Sequence, residues 1–95
     1  MAGNLVWTVG TGNGEDVAEQ TQATLEVIEV NLTQVGANKR QIVEAVVYLS
    51  DMGKKAEMDA VWCEWIPDGG WPCRACVGTV LAPGDLVEIK EPAVE

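Results

Sequence analysis

Histidine is absent from the 95 residues. That excludes every mechanism built on an imidazole, Ser-His-Asp and Cys-His hydrolysis among them, and metal sites of the His-rich kind. Phenylalanine is absent too, so the aromatic bulk of a core falls to Trp7, Trp62, Trp65, Trp71 and Tyr48. Basic residues are scarce: 6 Lys and Arg, of which two are Arg, stand against 15 Asp and Glu, a formal charge of −9. Affinity for nucleic acid comes mainly from Lys and Arg neutralising phosphates, so generic DNA or RNA binding is disfavoured. Docking on an anionic membrane surface is disfavoured for the same reason. Cys63, Cys73 and Cys76 are odd in number and too few for a secreted disulfide scaffold. The longest apolar run, 45–49, is far short of the ~20 residues that span a bilayer. Met1-Ala2-Gly3-Asn4 carries no basic segment leading into an apolar one, as a signal peptide would. A cytoplasmic protein engaging neither nucleic acid nor membrane is expected.

What is present is ordinary globular material, 47% hydrophobic and 22% charged. It makes a single domain over residues 1–95. A chain this short buries only roughly 60–65% of the surface it exposes when unfolded, so a monomer would be marginal. Residues 5–9 alternate as a short strand, and the glycine-rich stretch 10–14 reads as a loop. Val17, Thr21, Leu25, Ile28, Leu32 and Val35 recur every three or four positions, which predicts a helix over 15–35. Glu15, Asp16 and Glu19 favour its positive end, and Gly36 stops it. The β-branched run 42–49 predicts a strand covered on both faces. A second helix is expected over 54–65, with Met58, Val61, Trp62 and Trp65 on one face and Pro67-Asp68-Gly69-Gly70 as its stop. Strands over 72–81 and 86–90 follow, separated by the turn Ala82-Pro83-Gly84-Asp85. The order β-α-β-α-β-β favours an α+β sandwich of two helices on one sheet.

Cys73-Arg74-Ala75-Cys76 has C-x-x-C spacing but falls in a strand, where residues three apart point to opposite faces. Small hydrophobes packing a strand account for it better than a redox pair or a zinc site, so no metal is expected. Gly10-Thr11-Gly12-Asn13-Gly14 is G-x-G-x-G without a P-loop lysine, and phosphate binding is not expected there. Arg74 stands out as one of two arginines, set among small residues in a strand. Its planar fork of donors suits bidentate capture of a carboxylate. Arg74, Cys76 and Gly78 share one face, and Gly78 would leave open space beside the guanidinium. Glu88, in the last strand, is a carboxylate able to orient or deprotonate a water if it lies near Arg74. A tight hairpin between the last two strands would set Glu88 opposite Thr79 and off the face of Arg74, whereas a bulge or odd loop would restore it.

Four stretches in this order resemble the Rid family, the RidA/YjgF-like reactive intermediate deaminases: Asn4 to Gly10, Asp16 to Thr21 with the following helix, Ala45 to Met52, and Pro72 to Val77 followed by Leu86 to Ile89. Ala56 to Trp62 fits as well, and Asn38-Lys39 with Trp62 to Trp65 is most similar to the YoaB-like branch. The resemblance implies a chorismate-mutase-like α+β fold, assembled as a homotrimer with pockets in clefts between subunits. It implies hydrolysis of reactive 2-imino and enamine acids to 2-keto acids and ammonia, with a small carboxylate-bearing ligand and no cofactor. By position, Arg74 matches the arginine that clamps the substrate carboxylate and Glu88 the glutamate that positions the hydrolytic water. Cys76 matches the pocket cysteine, and Gly10 the glycine whose backbone borders the ligand.

The chain departs from the family pattern in several places. Set against that pattern it is expected to be N-terminally shortened, lacking the strand and covering aromatic residue with which members usually begin. Val9 occupies the place of a common serine, and Asp59 that of a common asparagine, a second negative charge in the expected substrate site. The turn between Arg74 and Glu88 is trimmed. The rival reading is a non-catalytic trimer that binds small carboxylates in the same cleft. Endoribonuclease action, a label attached to the family, is disfavoured by the charge of −9 and the missing histidine.

Overall fold

The computed structural model describes residues 5–37, 42, 44–66 and 73–94. Among these residues four strands and two helices form: β1 (Leu5–Gly10), α1 (Val17–Gln34), β2 (Glu44–Leu49), α2 (Lys55–Trp65), β3 (Cys73–Gly78) and β4 (Val87–Val94), with a 3₁₀ turn at Met52–Lys54 leading into α2. This is the α+β architecture expected.

Helix α1 begins where the acidic cluster predicts. The Asp16 carboxylate accepts from the Glu19 N–H at 2.8 Å, meeting one of the unpaired donors of the first turn. Gly36, with φ of 79°, ends it, and the Ala37 N–H donates back to the Leu32 carbonyl at 2.8 Å. Val17, Thr21, Leu25, Ile28 and Leu32 are buried as the spacing predicts. Val35 is 41% exposed, because the helix has already ended when it is reached. Gln20, which periodicity did not mark, is also buried. Its amide donates to the Gly14 and Gly84 carbonyls at 3.1 and 2.9 Å and accepts from the Leu86 N–H at 2.7 Å, pinning two loops to α1.

The sheet order is β1-β4-β2-β3. Strand β2 runs parallel to β3 and antiparallel to β4, and β1 is antiparallel to β4. Strands β3 and β4 are therefore not neighbours, and the hairpin weighed for them does not form. Strand β3 ends at Gly78 rather than 81, while β4 runs on to Val94 rather than 90. The Ala82–Asp85 turn is present, closed by the Asp85 N–H to the Ala82 carbonyl at 2.9 Å. The expected helix stop at 67–70, the Asn38-Lys39 turn, Trp71 and Pro72 lie outside the described residues.

Both helices cover one face of the sheet. Ala45, Val47 and Leu49 of β2, with Val87 and Ile89 of β4, pack there against Leu25, Ile28, Leu32, Met58 and Trp62, all buried. The expectation that β2 is covered on both faces is corrected. Its burial alternates, with Ala45, Val47 and Leu49 beneath the helices and Val46 and Tyr48 only partly covered. The alternation follows from a two-layer architecture in which the described residues supply nothing for the second face. No helix among the described residues is long and apolar enough to cross a membrane.

Candidate functional site

Register decides which candidate residues meet. Arg74 lies opposite Ala45, Cys76 opposite Val47 and Gly78 opposite Leu49, so all three point to the helix-covered side. Because β3 is an edge strand, Arg74 reaches helix α2 while staying partly open, its side chain 21% exposed.

The guanidinium is held from three sides. Its Nη2 pairs with Asp59 Oδ1 at 2.6 Å, its Nη1 lies 3.6 Å from Met58 Sδ, and its Cζ stands 5.6 Å from the centre of the Trp62 ring. A cation over an indole face is attracted by the ring quadrupole, and Arg suits this better than Lys because its plane can stack. Trp62 is itself fixed by burial and by Trp65, ring centres 5.8 Å apart. These contacts engage only part of a group that carries five N–H donors, so donors remain for an incoming carboxylate.

Asp59 serves two cations. Lys55, one turn earlier on α2, donates to its Oδ2 at 2.7 Å. Partial burial pushes the Asp59 carboxyl up, but the Lys55 hydrogen bond and the Arg74 pairing outweigh it and hold the group below its ordinary value. Asp59 is thus a carboxylate at neutral pH, and Lys55, Asp59 and Arg74 together carry one net positive charge. The repulsion expected from a second negative charge is cancelled locally. Sequence reasoning missed Lys55, although an acid–base pair four apart on a helix is a readable signal.

Burial raises the Cys76 thiol above its ordinary value, only partly offset by the positive charge of Arg74 and Lys55, so it stays a neutral thiol. The open space expected at Gly78 is filled instead. A Cβ there would meet Met52 Cγ at 2.6 Å, and Met52 Sδ lies 3.9 Å from Cys76 Sγ.

The remaining candidates lie elsewhere in the chain. Glu88 is opposite Tyr48, on the face away from the helices, so Arg74 and Glu88 point to opposite sides of the sheet. Val9, opposite Lys90, is on that same outer face and 52% exposed. Gly10 is buried on the helix side, in one row with Ile89, Val47 and Cys76. It belongs to β1, three strand spacings or about 14 Å from β3. Arg74, Cys76 and Asp59 therefore form one group within a chain, while Glu88, Val9 and Gly10 do not join it.

Two further carboxylates lie outside this group. Glu29 accepts from the Trp65 indole N–H at 3.2 Å and so anchors α2 to α1. Glu91, on the helix side of β4, is fully buried, and burial pushes its carboxyl up to about 8. Among the described residues no cluster of His, Cys, Asp and Glu is placed to hold a metal ion.

The family model described as "Endoribonuclease L-PSP" matches residues 1–95. A RutC family protein of Haemophilus ducreyi is 37% identical over 82 residues, which is 85% of this chain and 70% of that protein. The RutC family protein YoaB of Escherichia coli is 37% identical over 76 residues, 79% of this chain and 67% of its own length. Among solved structures, a YjgF family member from Neisseria meningitidis superposes with a TM-score of 0.90 at 40% identity, covering 96% of this chain and 79% of that one. A YjgF/YER057c/UK114 family member from Mycobacterium tuberculosis gives 0.85 at 33% identity, covering 100% and 82%.

Proposed function

This chain belongs to the YjgF/RutC family, and on that premise we propose that it hydrolyses reactive 2-imino acids to 2-keto acids and ammonia, in clefts between the subunits of a homotrimer. The observation that carries the reading is the Lys55–Asp59–Arg74 cluster. A chain of net charge −9 keeps one net positive charge at an accessible sheet edge, on a guanidinium stacked over Trp62. A pre-aimed guanidinium is what a substrate carboxylate needs, because binding then costs little further ordering.

The chemistry asks little more. The C2 carbon of an imine is already electrophilic. Glu88 takes a proton from water as its oxygen bonds to C2, and the proton passes to the nitrogen. The resulting carbinolamine collapses as Glu88 carries its hydroxyl proton to the amino nitrogen, the C–N bond breaks, ammonia leaves and the C2 carbonyl forms. Since Glu88 faces away from Arg74 within a chain, the two meet only if Glu88 comes from a neighbouring subunit. The partly covered outer face of the sheet, with Val9 and Val77 exposed, supports such an assembly.

Imine generated by an amino-acid oxidase in the presence of semicarbazide tests the reading. Wild type is expected to deplete the semicarbazone, and Arg74→Ala to lose about 100-fold or more of that activity, the usual cost of one preorganised donor. An adduct level unchanged by wild type would overturn it.

Small-carboxylate binding without catalysis is the second reading. It is favoured by Glu88 lying on the opposite face of the sheet from Arg74 within a chain, and by Val9 offering no hydroxyl. It predicts calorimetric binding of pyruvate with no effect on the adduct. Ribonuclease action, named in the family description, is opposed by the scarcity of Lys and Arg and the absence of His.

A further inference from the structure

Helix α1 exposes Val27 and Val30, which the chemistry above does not use. A β-branched residue loses rotamer freedom in a helix, so an exposed valine there is a poor choice unless something packs on it. With Ala23 the two valines floor a groove of about 600 Å³. Its walls are the loop 11–13 and Asp85 of the 82–85 turn. The buried Gln20 ties both walls to α1, its amide donating to the Gly14 and Gly84 carbonyls at 3.1 and 2.9 Å. Gly12 lies so close to the helix that a Cβ on it would meet Ala23 Cβ at 2.5 Å and the Thr24 backbone nitrogen at 2.6 Å. The groove is therefore formed in advance, which spares an occupant the cost of ordering it.

Charge narrows the choice of occupant. Glu26 and Asp85 edge the groove, and a second one of about 420 Å³ continues from it past Glu19, sharing Asn13, Ala23 and Glu26. Among the described residues, none of these three carboxylates is in an ion pair and no Lys or Arg lines either groove. Helix α1 itself carries no Lys or Arg. A second copy docked face to face would set like carboxylates against each other, and an anionic membrane is repelled. From Glu19 to Val30 the grooves follow α1 for three turns, about 16 Å, the span over which a helix offers anchors at i, i+4 and i+7.

We propose that this face of α1 docks a protein partner through a basic amphipathic helix, its apolar residues seated on Ala23, Val27 and Val30 and its Lys or Arg against Glu19, Glu26 and Asp85. The contact lies on the helix layer, so it does not compete with subunit association through the outer face of the sheet, and it does not rest on imine hydrolysis.

Fluorescence anisotropy with a labelled peptide of Leu and Lys, patterned as an amphipathic helix, tests this at physiological salt. Wild type is expected to bind it and to ignore the same peptide with Glu in place of Lys. Val27→Ser with Val30→Ser weakens binding about tenfold or more, the scale of losing central interface contacts. Glu26→Lys weakens it about tenfold by opposing the peptide's charge. Glu57→Lys, an equal change of charge on α2 outside both grooves, weakens it less than threefold, since Glu57 pairs only with exposed Lys54. Equal losses in the two lysine variants, or a serine variant that binds like wild type, would leave only diffuse attraction and overturn the proposal. A wild type that binds no peptide overturns it as well. So does a serine variant whose mass falls in light scattering, because a second copy would then cover this face.

Discussion

The two faces of this sheet are unequally finished. On the helix side, Ala45, Val47, Leu49, Val87 and Ile89 have no exposed surface, and even the polar Gln20, Thr21 and Thr24 are buried. On the outer side, Val9 and Val77 are 52% and 41% exposed, and Val46, Tyr48 and Glu88 are only partly covered. The candidate site inherits the asymmetry. Its proposed anchor, Arg74, belongs to the finished side, where α2 can aim it, and the carboxylate proposed to position water, Glu88, belongs to the unfinished one. On the proposed function, groups separated by the thickness of a sheet meet only through a second copy of the chain.

The outer face gives the largest expected effect. Val77→Asp would leave an uncompensated charge in the proposed subunit interface. Light scattering is expected to fall to the 10.2 kDa of one chain, with imine hydrolysis lost together with the assembly. A variant that keeps both mass and activity would show that this face takes no part in association.

The helix side responds to pH instead. Glu91 is buried there with its carboxyl raised from 4.5 to about 8. The folded chain holds this proton up to about pH 8, whereas the unfolded chain releases it above about 4.5. Stability from this group is therefore full at low pH and falls as pH rises between those values, by roughly 1 kcal/mol per pH unit. Glu91→Gln is expected to flatten that decline in a series of thermal melts and to be the more stable chain at pH 8. Parallel wild-type and variant curves would contradict the assignment.

Helix α1 was legible in the sequence because its spacing, its acidic start and Gly36 act within one segment and need no partner. The Arg74 neighbourhood was half legible. An arginine among small residues marks an anchor, and Lys55 four residues before Asp59 marks an ion pair. That these join, and that Met52 fills the space at Gly78, depends on parallel pairing of β2 with β3. The face of Glu88 was not legible at all. It is set by β4 inserting between β1 and β2, a pairing across more than thirty residues that leaves no local trace.

The central claim is that one catalytic cleft takes Arg74 from one subunit and Glu88 from another. Arg74→Ala and Glu88→Gln, each inactive alone, would be unfolded together, refolded as a mixture and assayed for imine hydrolysis. Random assembly leaves about a quarter of the clefts with both native residues, so activity near that fraction of wild type is expected. A mixture as inactive as its parents, with trimers formed, would contradict the shared cleft.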